Sequence, residues 1–400
     1  MIRNFWMLAA SALTLGLAQS PAIAQSGPPT SGNSAAVFFI PATVELVAGF
    51  NGQGTLGDPT TWGDGGLATA AKLNEPYGIA YDSQGNLYIA DSGNDNVRKI
   101  DKTTGKISTF AGTGTFGNTA PAANAQATTV GLGAVTGLAI DSHDNVYFAD
   151  RQNNVVWKVD TTGVITIFAG TIATGGYTGN GGLATSATLE SPYGLAFDAS
   201  GNLYIADNSN NVVRIVGTNG KINTFAGNGN GAGPFPSCPG NIPALGPPAP
   251  AATSVALCST IGVAVDPSGN VYISSYSYDQ VYKVNTSGDI SLFAGSGANY
   301  GGGGGETGDG GPATSADIWR PFGLYADPAG NVYISDQFGS YVREVDTKGV
   351  ISHVYGDNGG GLSKSVIGKS DTVTENYGVG DANAIYFITM DADGNLVVPA

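Results

Sequence analysis

One pattern, about sixty residues long, recurs along the whole chain and limits the fold more than any other feature. The Asp that closes each G-[ILV]-A-x-D-like segment falls at Asp82, Asp141, Asp198, Asp266, Asp327 and Asp391, with gaps of 59, 57, 68, 61 and 64 residues. Within the first complete unit the order is GIAYD (78–82), the turn SQGN (83–86), LYIAD (87–91), a polar SGND (92–95), NVRKID (96–101), the turn KTTGK (102–106) and ISTFAG (107–112). Four apolar runs of strand length separated by turn residues make an antiparallel meander. One such sheet cannot bury both of its faces, so copies must pack against each other. Radial packing of four-stranded sheets is a β-propeller. It explains why the second strands, LYIAD and VYFAD, are apolar without strict alternation. It also explains the small residues of the first strand, Gly78/Ala80, Gly137/Ala139, Gly194/Ala196 and Gly262/Ala264, which are needed where strands crowd the axis. The fifth copy departs, with Gly323 but Tyr325 in the Ala position.

The last copy, DADGNLVVPA (391–400), stops after its second strand. The segment SGNSAAVFFIPATVELVAG (31–49) aligns with SGNDNVRKIDKTTGKISTFAG (92–112), so the two chain ends together amount to one more repeat. The expectation is an all-β, six-bladed propeller of four-stranded antiparallel blades. It is closed by pairing N-terminal strands (about residues 36–49) with C-terminal strands (about 385–400), which leaves no open sheet edge. The repeated turn D-x-x-[GD]-N reads as a structural device, an Asp side chain accepting the N–H groups of its own turn. Its last copy, Asp391-Ala-Asp393-Gly-Asn395, resembles the start of a calcium loop but lacks the later Glu ligand.

The first residues read as a leader: Arg3, an apolar stretch from Phe5 to Ala18, and Ala22-Ile23-Ala24 as a cleavage site. Residues 1–24 are expected to be removed near Ala24/Gln25, which leaves 25–400 as a single domain exported to the periplasm or the medium. No later stretch is long and apolar enough to span a membrane. Cys238 and Cys258, the two cysteines, share one Gly/Pro-rich segment and are expected to form a disulfide in an oxidising compartment. The formal net charge is −15, and losing Arg3 makes it more negative, so nucleic acid is not an expected partner.

GDGGLATAAKLNEPYGIAYDSQGNLYIADSGNDNVRKI (63–100), GNGGLATSATLESPYGLAFDASGNLYIADNSNNVVRIV (179–216) and GDGGPATSADIWRPFGLYADPAGNVYISDQFGSYVREV (308–345) follow one motif closely. It resembles the NHL repeat, in the variant found in teneurin propellers and exported bacterial NHL proteins. The units beginning near Gly133 and Thr260 keep the strands and lose the GDGG lead-in. The resemblance implies a propeller used as a binding surface and names no ligand.

In a meander, the loops joining strand 4 to the next strand 1 emerge on the same face as the turns joining strands 2 and 3. Here those loops are the long ones, at 112–134, 227–258 and 295–311, and long loops gathered on one rim mark a functional face. On that face strand 2 ends in Asp91, Asp150, Asp207 and Asp336, with Ser275 in the equivalent place, and Tyr77, Tyr193 and Phe322 precede strand 1. These seven residues are the candidate ligand-binding set for a protein, peptide or glycan. Each Asp can equally cap its turn, and each aromatic can equally pack between blades. No catalytic residue and no resident cofactor is expected; calcium is the one ion the acidic loops would suit. His143, at a hairpin tip, and His353, in an outer strand, are not placed for base chemistry at the channel mouth. Lyases of the streptogramin or peptide-amidating kind, which use His at that mouth, are therefore not matched. A lactonase-like, metal-dependent hydrolase or lyase using the acidic mouth is the alternative to a binding scaffold.

Overall fold

Asp82 shows how the repeat builds its first hairpin. Its Oδ1 accepts the N–H groups of Gln84 (3.1 Å) and Asn86 (2.8 Å), and its Oδ2 accepts from Asn86 Nδ2 (2.7 Å) and the Tyr88 hydroxyl (3.2 Å). Gly85 supplies the positive φ of +82° that the turn requires. Asp141, Asp198, Asp266 and Asp391 hold their turns in the same way. D-x-x-[GD]-N is thus a self-contained hydrogen-bonded turn that reverses the chain between strands 1 and 2.

The computed structural model describes residues 5–8, 44–49, 62–229, 248–297, 307–339, 341–355 and 385–399. Blade 1 consists of Pro76–Tyr81, Leu87–Asp91, Asn96–Ile100 and Ile107–Ala111. Blades 2 to 5 occupy 135–169, 192–226, 260–294 and 321–355, each a four-stranded antiparallel sheet in sequence order. Each ATxAxL piece forms a single 3-10 turn, as at Ala68–Ala70, which sets Ala68, Ala71 and Leu73 into the core. Apolar clusters lie between neighbouring sheets: Trp157, Phe148 and Leu132 with Tyr88 between blades 1 and 2, and Tyr282, Ile273 and Leu257 with Tyr204 between blades 3 and 4.

The expected six-bladed ring is corrected here. Among the described residues five sheets are four-stranded antiparallel blades, not six. The remaining sheet is mixed, with strand order Val44–Ala48, Phe5–Leu8, Leu396–Pro399, Thr389–Met390. Phe5–Leu8, from the segment expected to be a leader, runs parallel to both of its neighbours. It separates Val44–Ala48 from the C-terminal strands, so the expected direct pairing of 36–49 with 385–400 is not formed; residues 36–43 lie outside the described residues. The physical reason is that no turn joins the two chain ends. An unpaired strand edge accepts any extended apolar segment, and only a short covalent connection dictates which one and in which direction.

Around the axis the first strands approach so closely that a side chain does not fit. A Cβ on Gly78, Gly137, Gly194 or Gly262 would collide with the carbonyl oxygen of Thr136, Tyr193, Ile261 or Phe322, each in the next blade. On Gly323 it would collide with Tyr386 and Phe387, and Phe387 N–H donates to the Tyr77 carbonyl (3.2 Å), which brings the ring back to blade 1. Ala80, Ala139, Ala196 and Ala264 each face the next blade. Tyr325 stands in their place in blade 5, half-buried against Ile385, Ile388 and Leu396. Its neighbour is the mixed sheet, whose facing strand Thr389–Met390 is only two residues long, and the larger ring fills the space that remains.

The GDGG lead-in has a partner in strand 3. Arg98, Arg214 and Arg343 are essentially fully buried. Arg98 is paired with Asp64, Arg214 Nη2 donates to Asn180 Oδ1 (3.0 Å), and Arg343 Nη2 donates to Asp309 Oδ1 (2.6 Å). Trp62 and Tyr177 lie over the first two guanidinium groups, at 5.8 and 5.0 Å. Blades 2 and 4 lack the lead-in and carry Trp157 and Tyr282 at the Arg position. The Arg and a lead-in acceptor, Asp or Asn, are therefore kept or dropped together, because a buried guanidinium without acceptors is strongly unfavourable.

Two stability outcomes are expected. Gly137→Ala forces the backbone of two blades apart and should cost about 1–3 kcal/mol, read as a lower melting temperature with unchanged far-UV circular dichroism. Asn180→Asp gives Arg214 the charged partner that Arg98 and Arg343 have, and should raise stability by about 1 kcal/mol. A melting temperature equal to or below that of the parent protein would contradict the assigned pairing.

Candidate functional site

The strand-2 carboxylates sit on the long-loop face, and they are turned into the protein. Asp91, Asp150 and Asp207 are 0% exposed and Asp336 is 2% exposed. Asp91 accepts the N–H of Asn74 (2.6 Å), Asp150 that of Gly133 (2.9 Å), Asp207 that of Glu190 (2.7 Å) and Asp336 that of Trp319 (3.0 Å). Each carboxylate thereby ties the end of a long loop to the turn that follows strand 2. The Asn three residues on adds a second donor at 2.8–2.9 Å in blades 1 to 3. Strand 3 supplies a third: Arg98 beside Asp91 (3.5 Å), Trp157 Nε1 to Asp150 (3.0 Å) and Arg214 to Asp207 (3.3 Å). In blade 4, Ser275 reverses the polarity and donates to the Cys258 carbonyl (2.7 Å). Burial pushes the Asp91 and Asp207 carboxyls up to about 6 and that of Asp336 to about 7, against the lowering effect of these donors.

The aromatic candidates do converge. Phe322, 4% exposed, lies at the centre, with Tyr77 and Tyr193 each 6.0 Å away between ring centroids. Three further rings join them: Tyr276 at 6.1 Å, Tyr386 at 5.2 Å and Phe387 at 5.3 Å. Tyr386 could have been found from the sequence, because aligning Asp391 with Asp82 sets it on Tyr77, although Phe387 follows it where Gly78 follows Tyr77. Tyr276 could not, because the residue after strand 2 is Ser92, Arg151, Asn208 or Gln337 elsewhere. That position reaches across to the next blade. Arg151 lies over the Tyr193 ring (5.9 Å) and donates to its hydroxyl (3.3 Å), and Asn208 donates to the Thr260 carbonyl (3.0 Å). Tyr276 accepts from Arg320 (3.2 Å), whose guanidinium also lies 4.3 Å from the Phe338 ring; Phe338 is 47% exposed.

The long-loop face thus presents an aromatic floor across the axis, phenol hydroxyls at its margin and two guanidinium groups beside it. Burial raises the Tyr77, Tyr276 and Tyr386 phenols, which stay protonated at neutral pH. Among the described residues no three His, Cys, Asp or Glu side chains are grouped so that they could hold a metal ion. His143 is exposed at its hairpin tip, and His353 packs edge-on to Tyr341 (5.0 Å) in the outer part of blade 5. A separate cavity of about 450 Å³ opens on the opposite face between blade 1 and the mixed sheet, lined by residues including Tyr81, Lys102 and Asp391. Cys258 is buried; Cys238 lies outside the described residues.

Comparison with known proteins places these observations. Residues 40–228 match the family model of the teneurin NHL domain. Human Teneurin-4 is 35% identical over 215 residues, 49% of this chain and 8% of that protein. Teneurin-m of Drosophila melanogaster is 33% identical over 193 residues, 46% of this chain and 7% of that protein. The chain thus spans less than a tenth of the length of these curated relatives. Among solved structures, a protein of unknown function from Bacteroides thetaiotaomicron superposes with a TM-score of 0.54 at 18% identity, over 84% of this chain and 69% of the other, a likeness of fold alone. Repeat motif, blade geometry and sequence matches agree on a β-propeller fold in which residues 40–228 are similar to the teneurin NHL domain.

Proposed function

We propose that the chain is an exported binding or scaffold module, without catalysis, that takes a protein, peptide or carbohydrate ligand on its long-loop face. The observation that carries this reading is the convergence of Tyr77, Tyr193, Tyr276 and Tyr386 around Phe322 on the face where the loops gather. Aromatic rings with phenol and guanidinium donors at their edge offer apolar contact and hydrogen bonds at little cost in side-chain entropy. In this reading Asp91, Asp150, Asp207 and Asp336 contribute indirectly, by holding the loops that frame the floor. Export with loss of residues 1–24, which would take the Phe5–Leu8 strand out of the mixed sheet and leave Val44–Ala48 and Leu396–Pro399 free to pair, belongs to the same proposal, as does a disulfide between Cys238 and Cys258 fastening the 227–258 loop.

The metal-dependent hydrolase or lyase reading is less well supported, because the carboxylates it needs are buried and already occupied by N–H donors. A rise in melting temperature with Ca²⁺ that is reversed by a chelator would revive it.

Glycan arrays and peptide-display libraries probed with the folded protein test the main reading. A retained ligand should lose about tenfold or more in affinity with Tyr193→Ala and with Tyr276→Ala, and little with the distant Leu183→Ser. Equal binding by all three variants would place the ligand elsewhere. Intact mass of the protein from an exporting host should correspond to a chain starting near Gln25; a chain that keeps its first residues would overturn the export proposal.

A further inference from the structure

Tyr77 and Tyr386 are arranged unlike the other rings of the floor. Their centroids are 4.0 Å apart with an interplanar angle of 24°, a face-to-face stack, whereas the contacts of Phe322 with its neighbours are tilted or edge-on at 5.2–6.1 Å. The two phenols are near enough to influence each other's ionisation. Tyr193 and Tyr276 are different, because each hydroxyl is held by a guanidinium, of Arg151 and Arg320 respectively. The stacked pair also sits at a special place. Tyr77 is in the first strand of blade 1, Tyr386 is in the segment that leads into the C-terminal strands, and Phe387 N–H bonds the Tyr77 carbonyl beside them (3.2 Å). Both rings are half-buried, so the stack borders solvent.

We propose that Tyr77 and Tyr386 are a site of oxidative dityrosine cross-linking that joins the two ends of the ring covalently. Two phenols held ring on ring at 4.0 Å need little motion to couple. The co-reactant is a one-electron oxidant of the peroxidase type supplied with hydrogen peroxide. Each phenol gives up one electron and its hydroxyl proton to become a tyrosyl radical. The two radicals form one carbon–carbon bond between Cε atoms. The two Cε hydrogens then leave the ring carbons, and two protons return to the oxygens and restore both phenols. In total the protein loses two electrons and two protons, and one hydrogen peroxide is reduced to two waters. Burial raises both phenols and makes loss of a proton in advance unfavourable, so the electron and proton leave together. A bond between blade 1 and the C-terminal segment closes a loop through nearly the whole propeller, which is where a cross-link restricts the unfolded chain most.

The test is oxidation of the folded, full-length protein with a haem peroxidase and hydrogen peroxide, followed by peptide mass spectrometry and dityrosine fluorescence. The expected product is a monomer two hydrogens lighter, in which a peptide containing Tyr77 is joined to one containing Tyr386, and which melts at a higher temperature than the untreated protein. Tyr386→Phe and Tyr77→Phe keep the ring stack but should abolish the product. Tyr193→Phe should leave its yield unchanged, and melting curves recorded beforehand show that each variant is folded. The proposal is overturned by a cross-link that maps to other tyrosines, by one that forms only between molecules, by its persistence in Tyr386→Phe, or by absence of any cross-link under conditions that oxidise Trp319.

Discussion

The close approach of the first strands around the axis is the constraint on which the rest of the molecule depends. With no Cβ on Gly78, Gly137, Gly194, Gly262 and Gly323, each strand lies against a carbonyl of the next sheet. That spacing sets the angle between blades and lets the apolar faces of strands 2 and 3 meet. Two serines reinforce it. Ser274 Oγ accepts the N–H of Gly262 (2.6 Å) and donates to the Phe322 carbonyl (2.8 Å), and Ser335 Oγ accepts the N–H of Gly323 (2.6 Å). A turn-residue side chain adds a second tie near the rim, with Asn154 accepting the N–H of Ser191 (2.8 Å), Asn211 that of Ser259 (2.6 Å) and Asp279 that of Arg320 (2.7 Å). Residues just before strand 1 are thereby held at the same height in blades 3 to 5, which positions Tyr193 and Phe322, and the Phe387 N–H on the Tyr77 carbonyl brings Tyr77 to the same point.

Polar burial follows the same modular logic. Blades 1 and 5 use an Arg in strand 3 with an Asp from the lead-in and an Asp at the end of strand 2, and blade 3 replaces the first Asp with Asn180. Blade 2 replaces the Arg with Trp157, whose indole N–H serves Asp150. Blade 4 has neither charge: Tyr282 bonds Gln280, and Ser275 takes the place of the Asp. In each blade the buried charge that is kept has hydrogen-bond partners, charged or neutral, because a buried charge left without them is strongly unfavourable. These substitutions also show why the strand-2 carboxylates serve the fold first, since each is already engaged by a loop N–H, and in blades 1 to 3 also by an Asn and a strand-3 side chain.

The strands, the turns and the identity of the long-loop face were legible in the chain, because each rests on contacts between residues close in sequence. The Asp82 turn and its copies are local, and so is the 3-10 turn at Ala68. Tyr77, Tyr193 and Phe322 were visible as a register repeated with the blades. Tyr276 was hidden, because its position is variable and its role arises from a neighbour in another blade. The buried state of Asp91, Asp150, Asp207 and Asp336 was one of two readings open to the sequence. Only the arrangement of loop N–H groups around each carboxyl distinguishes capping from a solvent-facing ring.

By itself the sequence determined the repeat, the four-stranded antiparallel blade and the chemistry of each turn, since a sixty-residue pattern with its own turn residues encodes those locally. Tertiary structure alone decided how the two ends of the chain meet. Five blades are antiparallel meanders because each strand is joined to the next by a short turn. The mixed sheet is different because its strands come from distant parts of the chain with no turn to impose a direction. The stack of Tyr77 on Tyr386 exists for the same reason, as a contact that comes into being only when the ring is complete.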